Sequence, residues 1–258
     1  MSNSDYPWKN PSEKIILSEN EVHAWKASLK VPLSTIYSLQ SVLSEEEVKR
    51  ARQFYFEKDR LHWIGARGIL RMLLGYYLDI DPRVVSFVTN DYGKLFIAHP
   101  SDGIRLRFNL THSGDIALYA FTYDRHVGVD VEYMRAGIDF EKLAQNHFSP
   151  YERAVLRALP PVLREEAFFL CWTRKEAYIK ARGCGLSIPL DQFDVSLTPG
   201  EPAALLDSRE DPQGTAKWSL HALTPGEHYT GALVVEGIDW HLSCWQWSGW
   251  HAPFGRSL

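Results

Sequence analysis

The chain has 258 residues and a formal net charge of −4, and 45% of its residues are apolar and 23% charged. This balance is that of a globular protein and excludes collagen-like, coiled-coil and largely disordered chains. A net-acidic chain is not built to coat nucleic acid, and three widely spaced cysteines favour neither a disulfide framework nor a zinc site. With no visible signal peptide and no apolar run near the roughly 20 residues that span a bilayer, we expect a cytoplasmic protein with no membrane or nucleic-acid partner.

The first third of the chain predicts a leader, a strand and two helices. Residues 1–20 are polar and contain proline, which is typical of a loose leader. Residues 25–37 mix apolar and polar side chains as a strand region does. Ser44, followed by three glutamates, can begin a helix. Between Asp59 and Leu78 apolar residues recur at helical spacing, which predicts a second helix.

The rest of the chain predicts mainly strands and one further long helix. Alternating or continuous apolar residues indicate strands at 84–88, 105–108, 116–123, 127–132, 194–197, 218–223, 231–235 and 242–247. Residues 90–94 and 109–115 are polar and predict turns. A long helix is expected from Arg164 to Arg182, ended by Gly183.

The two long predicted helices are followed by similar successions of strands and turns. This indicates an internal duplication, although an α+β chain without one can show the same succession. We therefore predict an α+β fold of two similar halves, residues 1–123 and 124–258. Ligand sites often lie at the interface between two domains or halves, so we expect the active site between these halves.

The segment 128–132, with the sequence GVDVE, is the most informative piece of the chain. On a strand, Asp130 and Glu132 point to one face and the valines to the other. Two carboxylates about 7 Å apart along a strand can converge on one cation, and oxygen ligands suit Mg²⁺ held together with a phosphate. No histidine or cysteine stands beside them at ligand spacing, which argues against zinc. The same pattern also fits a half-buried strand with a solvated acidic face.

Two further segments are ambiguous when they are considered alone. Glu176 and Lys180 share one helix face with Trp172. They could supply a third carboxylate and a phosphate-binding ammonium, or only a surface pair that adds about 0.3–0.5 kcal/mol. Thr111, His112 and Ser113 could donate hydrogen bonds to a phosphate or stabilise their own turn.

Taken together, these segments resemble the 4′-phosphopantetheinyl transferases of the surfactin-synthetase-activating type. The matching positions, in chain order, are 54–55, 59, 67, 71, 92–94, 109–113, 128–132, 148–152, 172–176, 180 and 185–190. G-x-D-x-E followed by W-[ST]-x-K-E-x-x-x-K is specific to this family, whereas the turn motifs alone are not. The resemblance implies two α+β halves related by a pseudo-twofold axis, with the active site between them. It also implies Mg²⁺-dependent transfer of phosphopantetheine from coenzyme A to a serine of an acyl or peptidyl carrier protein, with release of adenosine 3′,5′-bisphosphate.

The resemblance assigns the reacting groups as follows. Asp130, Glu132 and Glu176 are the expected metal ligands, and Asp130 is also expected beside coenzyme A. Lys180 is expected to contact the pyrophosphate of coenzyme A and to act in catalysis. Either Glu176 or Glu152 would deprotonate the incoming serine, directly or through a water.

The resemblance also assigns the residues that bind the nucleotide. Thr111 and His112 resemble the pair that contacts the 3′-phosphate end of coenzyme A, with Thr111 standing where the family often has serine. Arg67 and Lys94 are expected to be further contacts to the same nucleotide.

The carrier protein is the expected macromolecular partner of a monomeric enzyme. Carrier proteins are usually acidic, so we expect Arg174, Lys175 and Arg182 to form a docking patch with the apolar residues near 184–190. Two other classes of function stay open: a non-catalytic module that binds carrier proteins, and another Mg²⁺-dependent phosphate-ester enzyme such as a hydrolase. The first would lack a metal carboxylate or Lys180, and the second would need an activated water.

Overall fold

The computed structural model describes residues 6–12, 14–98, 106–135 and 137–249, and of Leu186 the backbone alone. Within these ranges the strands are β1 (Glu21–Ser28), β2 (Phe87–Thr89), β3 (Leu95–Ile97), β4 (Leu106–Ser113), β5 (Ile116–Tyr123), β6 (Val127–Tyr133), β7 (Phe193–Val195), β8 (Leu205–Ser208), β9 (Trp218–Leu223), β10 (Tyr229–Glu236) and β11 (His241–Trp247). The helices are α1 (Leu33–Gln40), α2 (Glu45–Ala51), α3 (Glu57–Leu78), α4 (Phe140–His147), α5 (Pro150–Ala158) and α6 (Pro161–Arg182). None of these described helices combines the length and the apolar character needed to cross a bilayer.

The order of elements repeats once along the chain. β1 is followed by three helices and the hairpins β2–β3 and β4–β5; β6 is followed by three helices and the hairpins β7–β8 and β9–β10. In each set the first strand pairs antiparallel with the last, which gives the strand orders β1-β5-β4 and β6-β10-β9. The predicted mixed α+β fold is confirmed.

The last strand returns to the first sheet. β11 pairs in parallel with β1, so that sheet has the order β11-β1-β5-β4. Lys9 forms a further bridge to Trp245 on β11. The described residues 6–12 are therefore attached to the sheet, unlike the loose leader that their composition predicts, and residues 1–5 lie outside the described residues. The predicted boundary between residues 123 and 124 falls between β5 and β6 and stays a prediction.

The core consists of layers, and their arrangement places one face of β6 against α6. Helix α3 packs on the first sheet and α6 on the second, and the two sheets face each other across a third apolar cluster. That middle cluster contains, among others, Leu118, Ala120, Val127, Val129 and Val131. Because side chains alternate along a strand, the intervening residues of β6 point toward α6.

Two local predictions were wrong. The segment 109–115 was expected to be a turn, but β4 continues to Ser113 and pairs in register with β5 up to Ile116. The turn is confined to Gly114 and Asp115, and Gly114 has a positive φ of 54°. Helix α1 lies where a strand region was expected; it has no side-chain cap but buries Ile36 and Leu39. Tertiary packing stabilises so short a helix, because eight residues are too few to hold one alone.

A buried histidine on β1 makes stability depend on pH. His23 is 1% exposed, and its Nδ1 lies 2.7 Å from the hydroxyl of Tyr77, which accepts a hydrogen bond from Trp25 Nε1. Burial lowers the pKa of His23 to about 4, against the opposing effect of Glu21. The unfolded chain therefore binds more protons than the folded one between the folded pKa and the ordinary value of 6.5.

We expect the protonation of His23 in the unfolded chain to lower the free energy of unfolding by about 2 kcal/mol when the pH drops from 7 to 5. Urea unfolding at the two pH values measures the difference. His23→Gln should lose most of it, whereas His241→Gln, at an exposed position, should retain it. An undiminished difference in His23→Gln would contradict the assignment to His23.

Candidate active site

The carboxylates of β6 face a helix that lies directly on the strand. Asp130 is 3% exposed and Glu132 is half-buried. A Cβ added to Gly128 would overlap the backbone carbonyl oxygen of Ala177 and the backbone nitrogen of Ala181. The absence of a side chain at residue 128 therefore lets the backbone of α6 approach β6 closely.

This approach brings the polar face of α6 against Asp130. Lys180 Nζ lies 2.5 Å from Asp130 Oδ1 and 3.2 Å from Thr111 Oγ1. Glu176 is one helical turn before Lys180 and shares its face. Trp172, one turn earlier again, packs against Phe168 and His147 and belongs to the core. The polar part of the predicted helix face thus begins at Glu176.

The three carboxyl groups interact electrostatically. Burial raises the pKa of Asp130, and Lys180 opposes this. Burial raises the pKa of Glu132, and the charge of Asp130 adds to it. The pKa of Glu176 is raised by burial, opposed by Lys180, and raised further by Asp130 and Glu132. The structure therefore brings the predicted ligands together with Lys180. The single ammonium of Lys180 does not balance the negative charges of three carboxylates.

The donor chemistry of this group fits a hard divalent cation. Across the described residues, no three carboxylate, imidazole or thiol side chains are already spaced as ligands of one ion. Asp130 Oδ2, however, is buried without a hydrogen-bond partner, and such an oxygen normally has one. The available donors are carboxylate oxygens, which Mg²⁺ prefers to nitrogen or sulfur. The residues present therefore fit a magnesium ion.

Polar side chains of β4 hold the acidic strand in place. Asn109 Oδ1 accepts a hydrogen bond of 2.9 Å from the backbone N–H of Val129. Thr111 Oγ1 donates to Asp130 Oδ1 over 3.1 Å. Ser113 Oγ donates to Glu132 Oε2 over 2.8 Å. The bonds of Thr111 and Ser113 stabilise the ionised forms of the carboxylates.

The supporting roles of Asn109 and Ser113 were not predicted, because the polar character of residues 109–115 indicated a turn. The signal that could have found them is the alternation N-x-T-x-S, which has the same period of two as G-x-D-x-E. Two strands with matching polar faces can pair those faces.

A cleft beside the acidic group gathers three of the four predicted nucleotide contacts. It has a volume of about 370 Å³ and is lined by Trp63, Ala66, Arg67, Leu95, Leu110, Thr111 and His112. Arg67 Nε lies 3.1 Å from Glu47 Oε1, and the guanidinium lies over the ring of Trp63. Among the described residues, its buried Nη1 has no hydrogen-bond partner. The only proton of the Thr111 hydroxyl is committed to Asp130, so a phosphate would compete for it. Arg67 and His112 are the better phosphate donors here.

Lys94 does not lie free to bind a phosphate. Its Nζ lies 3.0 Å from the carbonyl oxygen of Val127, 2.7 Å from that of Lys180 and 3.1 Å from that of Ala181. An ammonium has three protons, and these three acceptors use them all. Burial lowers the pKa of Lys94 to about 8. The Lys94 ammonium thus contacts backbone carbonyl groups, and its contact to a nucleotide stays a prediction.

Glu152, the other candidate base, is buried against Lys175. It is fully buried; its Oε2 accepts a hydrogen bond from the backbone N–H of Ser149, and its Oε1 accepts one from that of Val195. Oε1 also lies 2.8 Å from Lys175 Nζ, and both side chains are inaccessible to solvent. Lys175 is about 100° around α6 from Glu176. Glu152 therefore contacts a different face of α6 from the acidic group, where a serine could not reach it.

The predicted basic docking patch was wrong for two of its three residues. Arg174 is 2% exposed and donates to the carbonyl oxygen of Ser196, and Lys175 is completely buried. Arg182 is partly exposed and donates to the hydroxyl of Tyr178. Arg174 and Lys175 face inward because the segments that follow α6 cover that side of the helix.

Clustered carboxylates beside a lysine can hold a metal ion and stabilise the charge of a phosphate ester. Residues 24–123 match the family model "4′-phosphopantetheinyl transferase, N-terminal", and residues 126–234 match "4′-phosphopantetheinyl transferase superfamily". The chain belongs to the 4′-phosphopantetheinyl transferase superfamily, which confirms the family that its motifs resemble.

Curated relatives match over most of the chain. The 4′-phosphopantetheinyl transferase HetI of Nostoc sp. is 38% identical over 242 residues, which cover 94% of this chain and 99% of HetI. A 4′-phosphopantetheinyl transferase of Bacillus subtilis is 33% identical and covers 78% of this chain and 85% of its own. The 4′-phosphopantetheinyl transferase Sfp of Bacillus subtilis is 32% identical and covers 61% of this chain and 67% of its own.

Proposed function

We propose that this protein transfers the 4′-phosphopantetheine arm of coenzyme A to a serine hydroxyl of an apo acyl or peptidyl carrier protein. The serine oxygen forms a bond to the phosphorus next to the pantetheine, and the bond from that phosphorus to the bridging pyrophosphate oxygen breaks. Adenosine 3′,5′-bisphosphate leaves. The observation that carries the proposal is the gathering of Asp130, Glu132, Glu176 and Lys180 in a chain of this superfamily.

Asp130, Glu132 and Glu176 are the proposed ligands of Mg²⁺. Bound there, the ion would neutralise negative charge on the pyrophosphate of coenzyme A. The buried oxygen Asp130 Oδ2, which has no partner among the described residues, supports this assignment. Ser113 donates to Oε2 of Glu132 and so orients this carboxylate.

Lys180 supplies positive charge where the leaving group develops negative charge. Its ammonium stands between Asp130 and Thr111, at the edge of the cleft that Thr111 also lines. Arg67 and His112 are the proposed contacts to the nucleotide in that cleft, which both side chains line.

Glu176 is the proposed base that takes the proton of the serine. Its carboxylate lies with those of Asp130 and Glu132 beside Lys180, where the proposed transfer takes place. Glu152, the alternative, has both oxygens committed to buried backbone N–H groups and to Lys175. We also propose a cytoplasmic monomer, on the basis of the sequence alone.

Mass spectrometry of apo carrier proteins tests the reaction. After incubation with this protein, coenzyme A and MgCl₂, we expect at least one carrier to gain the mass of one phosphopantetheine. A carrier whose acceptor serine is replaced by alanine should gain nothing, and EDTA should abolish the gain until MgCl₂ is restored.

Two outcomes would contradict the proposal. Release of adenosine 3′,5′-bisphosphate from coenzyme A without a carrier would identify a hydrolase. Carrier binding with no mass gain on any carrier, in the presence of coenzyme A and Mg²⁺, would indicate a non-catalytic binding module.

A further inference from the structure

Several hydrogen bonds hold the turn between β2 and β3. Asn90 Oδ1 accepts hydrogen bonds from the backbone N–H groups of Tyr92 and Lys94, over 3.1 and 2.9 Å. The backbone N–H of Asn90 donates to the carbonyl oxygen of Lys94. Gly93 has a positive φ of 81°, which glycine adopts without strain. The turn therefore presents the side chains of residues 90 and 94 in a fixed direction.

Lys94 reaches the last turn of α6, and Asn90 reaches Gly183, the residue that follows it. The final carbonyl groups of a helix have no partner within it. Lys94 donates to the carbonyls of Lys180 and Ala181, and Asn90 Nδ2 donates to that of Gly183 over 2.6 Å. A cation at this end also interacts favourably with the helix dipole.

The same ammonium reaches the strand that carries the acidic residues. Lys94 Nζ donates to the carbonyl of Val127, the first residue of β6, three positions before Asp130. One side chain of the first set of elements thus joins the end of α6 to the start of β6, which both belong to the second set.

We propose that Lys94, supported by Asn90, is a positioning residue that fixes the register between α6 and β6, and so holds Lys180 and Glu176 against Asp130 and Glu132. This inference rests on the proposed function only for its catalytic readout. A displacement of about 1 Å between reacting groups can reduce a rate by about 10²-fold. Loss of the Lys94 hydrogen bonds should therefore lower turnover, although Lys94 itself does not contact the substrate.

Lys94→Met tests the inference, because methionine keeps the length of the side chain but removes its three donors. We expect kcat to fall by about tenfold or more, while the Kd for adenosine 3′,5′-bisphosphate changes by less than about twofold. Amide hydrogen exchange of residues 179–183 should become faster. A Kd that rises about tenfold with unchanged exchange would show that Lys94 binds the nucleotide, and would overturn the proposal.

Asn90→Asp gives a second variant with a milder change. Aspartate keeps the two acceptor bonds that form the turn and loses the donor to Gly183. It should show the same pattern with a smaller fall in kcat, and Asp91→Asn, at an exposed position of the same turn, should behave as the wild type.

The exchange measurement separates this inference from the proposed function. If the wild-type protein transfers nothing, the proposed function fails, but faster exchange of residues 179–183 in Lys94→Met still supports the positioning role of Lys94. If both Lys94→Met and Asn90→Asp exchange as the wild type does, the positioning role is wrong, whatever the wild-type activity.

Discussion

Replacing Glu176 by glutamine is expected to lower the rate of phosphopantetheine transfer by about 10³-fold or more, or about 4 kcal/mol in activation free energy. The substitution keeps the size of the side chain but removes a negative charge that interacts with Asp130, Glu132 and Lys180. It removes both the proposed base and one of the proposed metal ligands. Losses of this size are typical where a charged group acts directly on the reacting atoms.

The measurement is the initial rate of carrier modification at saturating coenzyme A and MgCl₂. Glu166→Gln is the matched control, because Glu166 is exposed on the same helix and should leave the rate unchanged. Circular dichroism should show that both variants are folded. Turnover of Glu176→Gln within about threefold of the wild type would remove Glu176 from both proposed roles.

Gly128→Ala is expected to be the most damaging substitution for stability among those considered. The new methyl group would overlap the backbone of α6 at Ala177 and Ala181, and a backbone cannot move aside as a flexible side chain can. Overpacking of this kind costs about 1–3 kcal/mol and more when backbone must shift. We expect a loss of about 3 kcal/mol or more in the free energy of unfolding.

Urea unfolding of Gly128→Ala and Gly65→Ala separates this contact from a general effect of glycine replacement. A Cβ on Gly65 would meet Leu29 at 3.4 Å, an ordinary contact, and Gly65 lies within α3. Alanine is about 0.5–1 kcal/mol better than glycine within a helix, so Gly65→Ala should be neutral or slightly stabilising. Equal destabilisation in the two variants would contradict the close approach of α6 to β6.

The sequence predicted best the features that depend on neighbours along the chain. The long helices, the start of α2 at Ser44 and the strands β5 and β9 follow from local periodicity and capping. The alternation in residues 128–132 correctly predicted that valines and carboxylates would occupy opposite faces of β6. Family motifs added the expectation that Glu176 and Lys180 would join them.

Other predictions failed because one sequence segment can fit two structures. The polar residues Asn109 and Ser113 suit a turn, but they also suit a strand whose polar face meets another polar face. Arg174 and Lys175 suit a solvated helix face, yet both cations are buried and donate to carbonyl oxygens of the segments after α6. Composition does not indicate which partner will be available.

The α+β class, the faces of individual strands and helices, and the chemical types in the site could all be predicted from the sequence. Three features became evident in the folded protein: Lys94 caps α6, Glu152 is buried against Lys175, and Arg67 lines the cleft. The physical reason is that spacing along one element fixes which side chains share a face. What that face meets depends on elements distant in the chain, whose packing and hydrogen-bond acceptors exist only in the folded protein.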